Sequence, residues 1–133
     1  MNTHSLISFA LAMTAISPAF AQQPAPSSSG PVAVVVTIPI PAGFPREKVL
    51  AGMQQSIPQY QAIPGLARKF FTLSDDGQFG GIYLWRSRTE AQAWFSDAWR
   101  AKAKATYGAE PQVSYFEAPI VIEGPATVAS NIK

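Results

Sequence analysis

The sequence predicts an α+β domain of the split βαβ, ferredoxin-like class, with elements in the order β-α-β-β-α-β around an antiparallel four-stranded sheet. Three observations carry this reading. The run Val-Ala-Val-Val-Val-Thr-Ile-Pro-Ile over 32–40 is β-branched and has no polar alternation, as expected of a strand covered on both sides. Two further strand patterns, over 66–73 and 79–86, flank an Asp75-Asp76-Gly77 turn and read as a hairpin. A long amphipathic pattern then opens at Ser87 and closes at Gly108, and an aromatic strand comes next over 112–118.

In chain order, residues 6–16 form an apolar run of the length of a signal-peptide core. Pro18 breaks it, and Ala19-Phe20-Ala21 has the small-x-small pattern of a cleavage site. The run is short of the ~20 apolar residues that span a bilayer. Export with cleavage after Ala21 is therefore the expectation, placing the protein in the periplasm or outside the cell, with no stable membrane insertion. The stretch 22–31, rich in Gln, Pro, Ser and Ala, reads as a tether. The folded domain is assigned to 32–123 and a C-terminal tail to 124–133. The chain beyond the leader is long enough for one domain, and a domain this small gains from a partner subunit.

Within the domain, Pro45 suits a first helical turn and Glu47 suits the helix dipole. Val49, Leu50, Met53 and Ile57 continue at helical spacing, which predicts a helix over 45–57 that Pro58 stops or kinks. Pro64-Gly65 turns the chain into the hairpin. Ser87-Arg88-Thr89-Glu90 matches a capping box. A single helix behind it is expected to present Ala91, Trp94, Phe95, Ala98, Trp99, Lys102 and Ala105 on one face.

Composition excludes much chemistry. The 133-residue chain has no cysteine and one histidine, His4, which lies in the leader. A mature chain without His or Cys lacks the common ligands of zinc, copper and haem iron, and it lacks Ser-His and Cys-His nucleophile pairs. No metal and no cofactor is expected. A formal charge of +2 is too small to imply nucleic acid as a partner.

Right-handed crossovers put both helices on one face of the sheet and leave the other bare. The stretch Gly80-Gly81-Ile82-Tyr83-Leu84-Trp85 carries large side chains on both faces. With Ile82 and Leu84 toward the helices, Gly81, Tyr83 and Trp85 point to the open face, and a homodimer that packs sheet against sheet covers them. A loop over 74–78 pairs Leu73 with Phe79. It then sets Lys69 opposite Tyr83, Phe71 opposite Gly81 and Ala67 opposite Trp85.

Pro64-Gly65 before a strand with Lys69 and Thr72, then Gly80-Gly81-Ile82-Tyr83-Leu84-Trp85, a helix, and a strand with Phe116-Glu117 resemble the YdhR-like mono-oxygenase family. That family sits within the dimeric α+β barrel superfamily. The resemblance spans 32–119, and its most specific part is the Gly-Gly-Ile-Tyr-Leu-aromatic strand. It implies a dimeric α+β barrel. It also implies oxidation of a small aromatic or quinol by oxygen without metal or flavin, because the substrate anion itself supplies the electron.

On that reading Lys69 and Tyr83 are the catalytic candidates, and Phe71, Gly81, Trp85 and Tyr115 bind a small apolar or aromatic ligand. Tyr83 and Trp85 hold the ring while Lys69 stabilises its phenolate or acts as a base. The competing reading makes Tyr83 and Trp85 packing residues and lets Lys69 snorkel to the rim, and aromatics at strand alternation are usually core. For Gly80-Gly81 the alternatives are room for a ligand or a bulge and close strand approach. Glu117 alternates with Tyr115 and has either a cavity or an edge role. Two non-enzymatic alternatives stand beside mono-oxygenation. One is a periplasmic module that binds a ligand without chemistry; the other is a purely structural dimer with no cavity beyond its interface.

Overall fold

A computed structural model describes residues 29–129. The expected signal peptide, most of the tether and residues 130–133 lie outside the described residues. The elements are β1 (Val32–Pro39), α1 (Arg46–Gln61), β2 (Leu66–Leu73), β3 (Gln78–Trp85), α2 (Arg88–Trp94), α3 (Asp97–Tyr107) and β4 (Gln112–Glu117). The strands form one antiparallel sheet in the order β2-β3-β1-β4. This is the α+β ferredoxin-like fold expected from the element order.

The hairpin register is set by its turn. Ser74 N donates to the Gln78 carbonyl at 2.8 Å, Gly77 takes the left-handed conformation (φ 83), and Leu73 pairs with Phe79. Lys69 thus lies opposite Tyr83 and Phe71 opposite Gly81, as the loop position predicts. Farther along, a register shift between Leu66 and Arg68 brings Leu66 opposite Trp85. Ala67 therefore does not face Trp85: it is the extra residue of a β-bulge.

Which face the helices cover differs from expectation. Val32, Val34 and Val36, all buried, pair with Trp85, Tyr83 and Gly81 and point with them toward the helices. Tyr83 is 3% exposed and Trp85 1%, whereas Ile82 on the opposite face is 41% exposed. Lys69 and Phe71 share the covered face through their pairing with β3. The physical reason is volume. The gap between a helix layer and a sheet is wide, and Tyr and Trp fill it with more buried area than Ile or Leu could. Phe95 of the helix layer meets both rings edge to face, at 5.0 Å from Tyr83 and 5.9 Å from Trp85.

Two helices depart from their expected lengths. The helix expected to stop or kink at Pro58 runs through it to Gln61. The single helix expected after Ser87 is two. Ser87 Oγ accepts from Glu90 N at 3.2 Å to cap α2, and Ser96 Oγ accepts from Trp99 N at 3.2 Å to cap α3. The break at Phe95 and Ser96 swings Phe95 into the core, while Ala98 and Ala105 are exposed rather than buried. Gly108 closes α3 in the left-handed conformation.

After β4 the chain reaches from one edge of the sheet to the other, where Glu123 pairs with Arg68 of β2. Both partners are about half exposed or more, so the pair orients the tail and adds little stability. Among the described residues, no helix is long and apolar enough to cross a membrane.

Candidate functional site

The site grows from the β2–β3 hairpin. Gly81 has no side chain, and a Cβ there would lie 2.9 Å from Tyr83 Cε2 and 3.1 Å from Lys69 Cε. The missing side chain is the space in which the Lys69 stem and the Tyr83 ring sit side by side. At Gly80 a Cβ would collide with the Val36 carbonyl of β1. Of the meanings open to this glycine pair, close strand approach is seen at Gly80, and Gly80 also lines the cavity described below.

From above, the last turn of α1 brings Tyr60. Because the helix continues past Pro58, the Tyr60 ring lies over the hairpin rather than in a loop. Lys69 Nζ is 3.0 Å from the centroid of the Tyr60 ring, 4.0 Å from that of Phe71 and 4.6 Å from that of Tyr83. The rings brace one another: Tyr60 meets Phe71 edge to face at 5.6 Å and Tyr83 at 6.1 Å. Trp94 of α2 closes the far side, 5.9 Å from Tyr60.

This aromatic box is one end of a cavity of about 800 Å³ between α1, α3 and the sheet. Its walls are mainly apolar, and Val49 is the one α1 residue fully packed into the fold, so the helix stands off the sheet. Lys48 and Lys102 border the cavity along with Lys69, and among the described residues no carboxylate does. An uncompensated ammonium is costly in such surroundings. Burial accordingly pushes Lys69 down to about 6. Cation–π attraction to the rings works the other way and is worth about 2 kcal/mol or somewhat more for a desolvated cation. Stripping water from an ion costs several kcal/mol, so desolvation decides. Burial likewise raises the Tyr60 hydroxyl, and burial with the neighbouring Tyr60 holds Tyr83 well above the usual tyrosine range. At neutral pH the site therefore holds a free amine and two protonated phenols.

Of the residues singled out from the sequence, Lys69, Phe71 and Tyr83 line the cavity and Gly81 lies beneath two of them. Trp85 stacks on Tyr83 at 6.4 Å but does not line the cavity. Tyr115 is not brought there either: it packs against Phe95 at 6.5 Å, under the Arg88 guanidinium at 5.3 Å. Glu117 sits at the end of β4, opposite Val32. Sequence reasoning missed Tyr60. Its signal was the helical spacing from Val49 and Met53, a pattern that Pro58 interrupts.

No family model and no curated protein matches the chain. Solved structures do. A protein of unknown function, NE2512 from Nitrosomonas europaea, is similar at 20% identity and a TM-score of 0.56, over 76% of this chain and 100% of that one. PA3566 from Pseudomonas aeruginosa is similar at 13% identity and a TM-score of 0.51, over 69% and 97% of the two chains. Mono-oxygenases are also among the similar structures. One, from the gene ActVA-Orf6 of Streptomyces coelicolor, was solved with nanaomycin D; it has 20% identity and a TM-score of 0.48, over 77% and 95%. NE2512 and PA3566 share with this chain, at such identities, the α+β ferredoxin-like fold, and with it the sheet and helices that enclose the cavity.

Proposed function

We propose that this chain is an exported, homodimeric mono-oxygenase-like enzyme that oxidises a small phenol or quinol with oxygen and uses neither metal nor flavin. The observation that carries this is the Lys69 amine, set among the rings of Tyr60, Phe71 and Tyr83 beside a cavity of about 800 Å³, where burial pushes it down to about 6. The Gly80 to Trp85 strand, which resembles that of the YdhR-like family, supports the same reading.

In the proposed reaction the substrate ring lies against the aromatic walls and its hydroxyl proton passes to Lys69 Nζ. The phenolate is electron-rich enough to reduce oxygen. A C–O bond forms at the ring carbon para to the phenolate oxygen, giving a peroxide. In a phenol unsubstituted at that position the carbon's hydrogen passes as a proton to the distal peroxide oxygen, the O–O bond breaks, and Lys69 gives its proton to the leaving hydroxide. One phenol and one oxygen molecule yield one quinone and one water. Tyr83, protonated at every working pH, orients the substrate oxygen through its hydroxyl.

The homodimer is supported by the open sheet face. Phe70 is 53% exposed there, Ile82 41% and Phe116 54%. Large apolar side chains gathered on one sheet face of a small domain suit a second copy packed against it.

Oxygen uptake by the purified protein with a panel of phenols and quinols tests the activity. Lys69→Ala is expected to lower turnover at least about 100-fold, the scale of a lost general base. Tyr83→Phe, which keeps the packing, should raise KM more than it lowers kcat. Unchanged turnover in both variants overturns these roles.

A second reading has its own observation: the cavity is apolar, bordered by three lysines and, among the described residues, by no carboxylate, which suits an anionic apolar ligand held without chemistry. Native mass spectrometry separates the two, because a binding module retains its ligand through purification. A purely structural dimer does not account for a cavity inside the protomer.

A further inference from the structure

We propose that Lys69 is an imine-forming amine, and that the cavity takes apolar aldehydes and ketones as covalent ligands through it. This needs the cavity and not the oxidation. An amine that captures carbonyl compounds must be uncharged, reachable from a space that holds the carbon skeleton, and free of an acid that would keep it protonated. Lys69 meets each condition by position. Its Nζ lies 3.0 Å from the Tyr60 centroid and 4.0 Å from that of Phe71, so ring faces replace part of the water around this half-buried side chain.

The titratable residues whose rings face Lys69 are Tyr60 from α1 and Tyr83 from β3. Lys48 and Lys102 border the same cavity. None is a carboxylate. Arg68, which pairs with Glu123, borders a second hollow with Lys69, Tyr60 and Phe71, whereas no residue of the Arg86–Glu90 and Lys104–Glu110 pairs lines the cavity. With Lys69 titrating at about 6, about nine in ten of these amines are neutral at pH 7, against roughly one in 2,500 for an ordinary lysine.

The bond chemistry balances without an oxidant or reductant. Nζ adds to the carbonyl carbon, and the carbonyl oxygen departs as water with the two amine protons. A C=N bond replaces a C=O bond and a water molecule is released. In the proposed step the hydroxyls of Tyr60 and Tyr83, whose rings flank Nζ and which stay protonated, serve as proton donors to the departing oxygen. The apolar walls favour a carbonyl carried on an aromatic or aliphatic body over a polar one.

The test uses the intact protein with 2-naphthaldehyde and sodium cyanoborohydride, which delivers a hydride to the imine carbon and leaves a stable secondary amine. Peptide mapping reads the site. At pH 7 Lys69 should be labelled roughly tenfold faster than Lys48, Lys102 or Lys104, with its labelling rate rising through about pH 6. Glyceraldehyde, small and polar, should lose that preference. Equal labelling of all lysines by 2-naphthaldehyde, or no adduct at Lys69, overturns the proposal. Because no variant is needed, misfolding cannot mimic either result. Oxygen uptake with phenols in the absence of aldehyde reports separately on the mono-oxygenase reading, so either can fail alone.

Discussion

Lys69 of β2 and Tyr60 at the end of α1 meet face on, the amine nitrogen 3.0 Å from the ring centroid, and among the described residues no acid lines the cavity they share. Half-buried there, the amine has no partner charge among the residues that line the cavity. It is held by two features that are separate in the sequence: a hairpin register that sets Lys69 beside Tyr83 over Gly81, and a helix that keeps its course through Pro58. Neither does it alone.

That placement links stability to pH. In the unfolded chain Lys69 binds its proton up to about 10.5, and in the folded protein only up to about 6. Between these values the unfolded state holds more protons, so raising the pH favours the folded state. Urea denaturation at pH 6.5 and pH 9 should show the wild type gaining roughly 3 kcal/mol relative to Lys69→Met across this window. Above pH 10 the raised Tyr60 and Tyr83 act in the opposite direction, so the window ends there. A difference between the two proteins that stays flat from pH 6.5 to 9 contradicts the placement.

The glycine pair should separate stability from activity. Gly80→Ala drives a Cβ into the Val36 carbonyl, a backbone atom that cannot move aside, and should destabilise the fold by about 3 kcal/mol or more in denaturant titration. Gly81→Ala brings a Cβ to 2.9 Å from the Tyr83 ring, 3.1 Å from the Lys69 stem and 3.0 Å from the Phe70 carbonyl, contacts too tight by a few tenths of an ångström rather than a direct collision. It should cost under about 1.5 kcal/mol and still lower oxygen uptake, because the amine is displaced from its rings.

Much of this fold was legible in the sequence. The element order came from β-branched runs, turn residues and one capping serine, and the hairpin register came from Ser74 and Gly77. Residue alternation put Lys69, Phe71, Gly81, Tyr83 and Trp85 on a common face. It could not say which face the helices cover, since β1 is apolar on both sides. Ring volume settles that, and volume is a property of the assembled layers rather than of one strand. Tyr60 was hidden behind Pro58, and the second cap at Ser96 was hidden inside a run whose helical period barely breaks.

Ser96 offers a check on that second cap. Ser96→Ala removes the acceptor for Trp99 N and should lower stability by about 1 kcal/mol, or roughly 5 °C in Tm by thermal circular dichroism. In one continuous helix the same substitution would be neutral or stabilising.

The open sheet face predicts assembly. The wild type should have twice the chain mass in light scattering, and Ile82→Asp or Phe116→Asp should each give a folded monomer. Those variants leave the cavity untouched, since both residues point away from it. Two mutants that remain dimeric would place the interface elsewhere.

The base, the imine and the pH-linked stability all depend on the state of one amine. Its Cε chemical shift, recorded by NMR across pH 5 to 11 in the folded protein and again in urea, measures that state directly. The predicted midpoint for Lys69 is about 6 in the folded protein and about 10.5 once the chain is unfolded. A folded-state midpoint equal to the unfolded one would mean that the amine stays charged in water, and would contradict the base, the imine and the cavity's chemistry together.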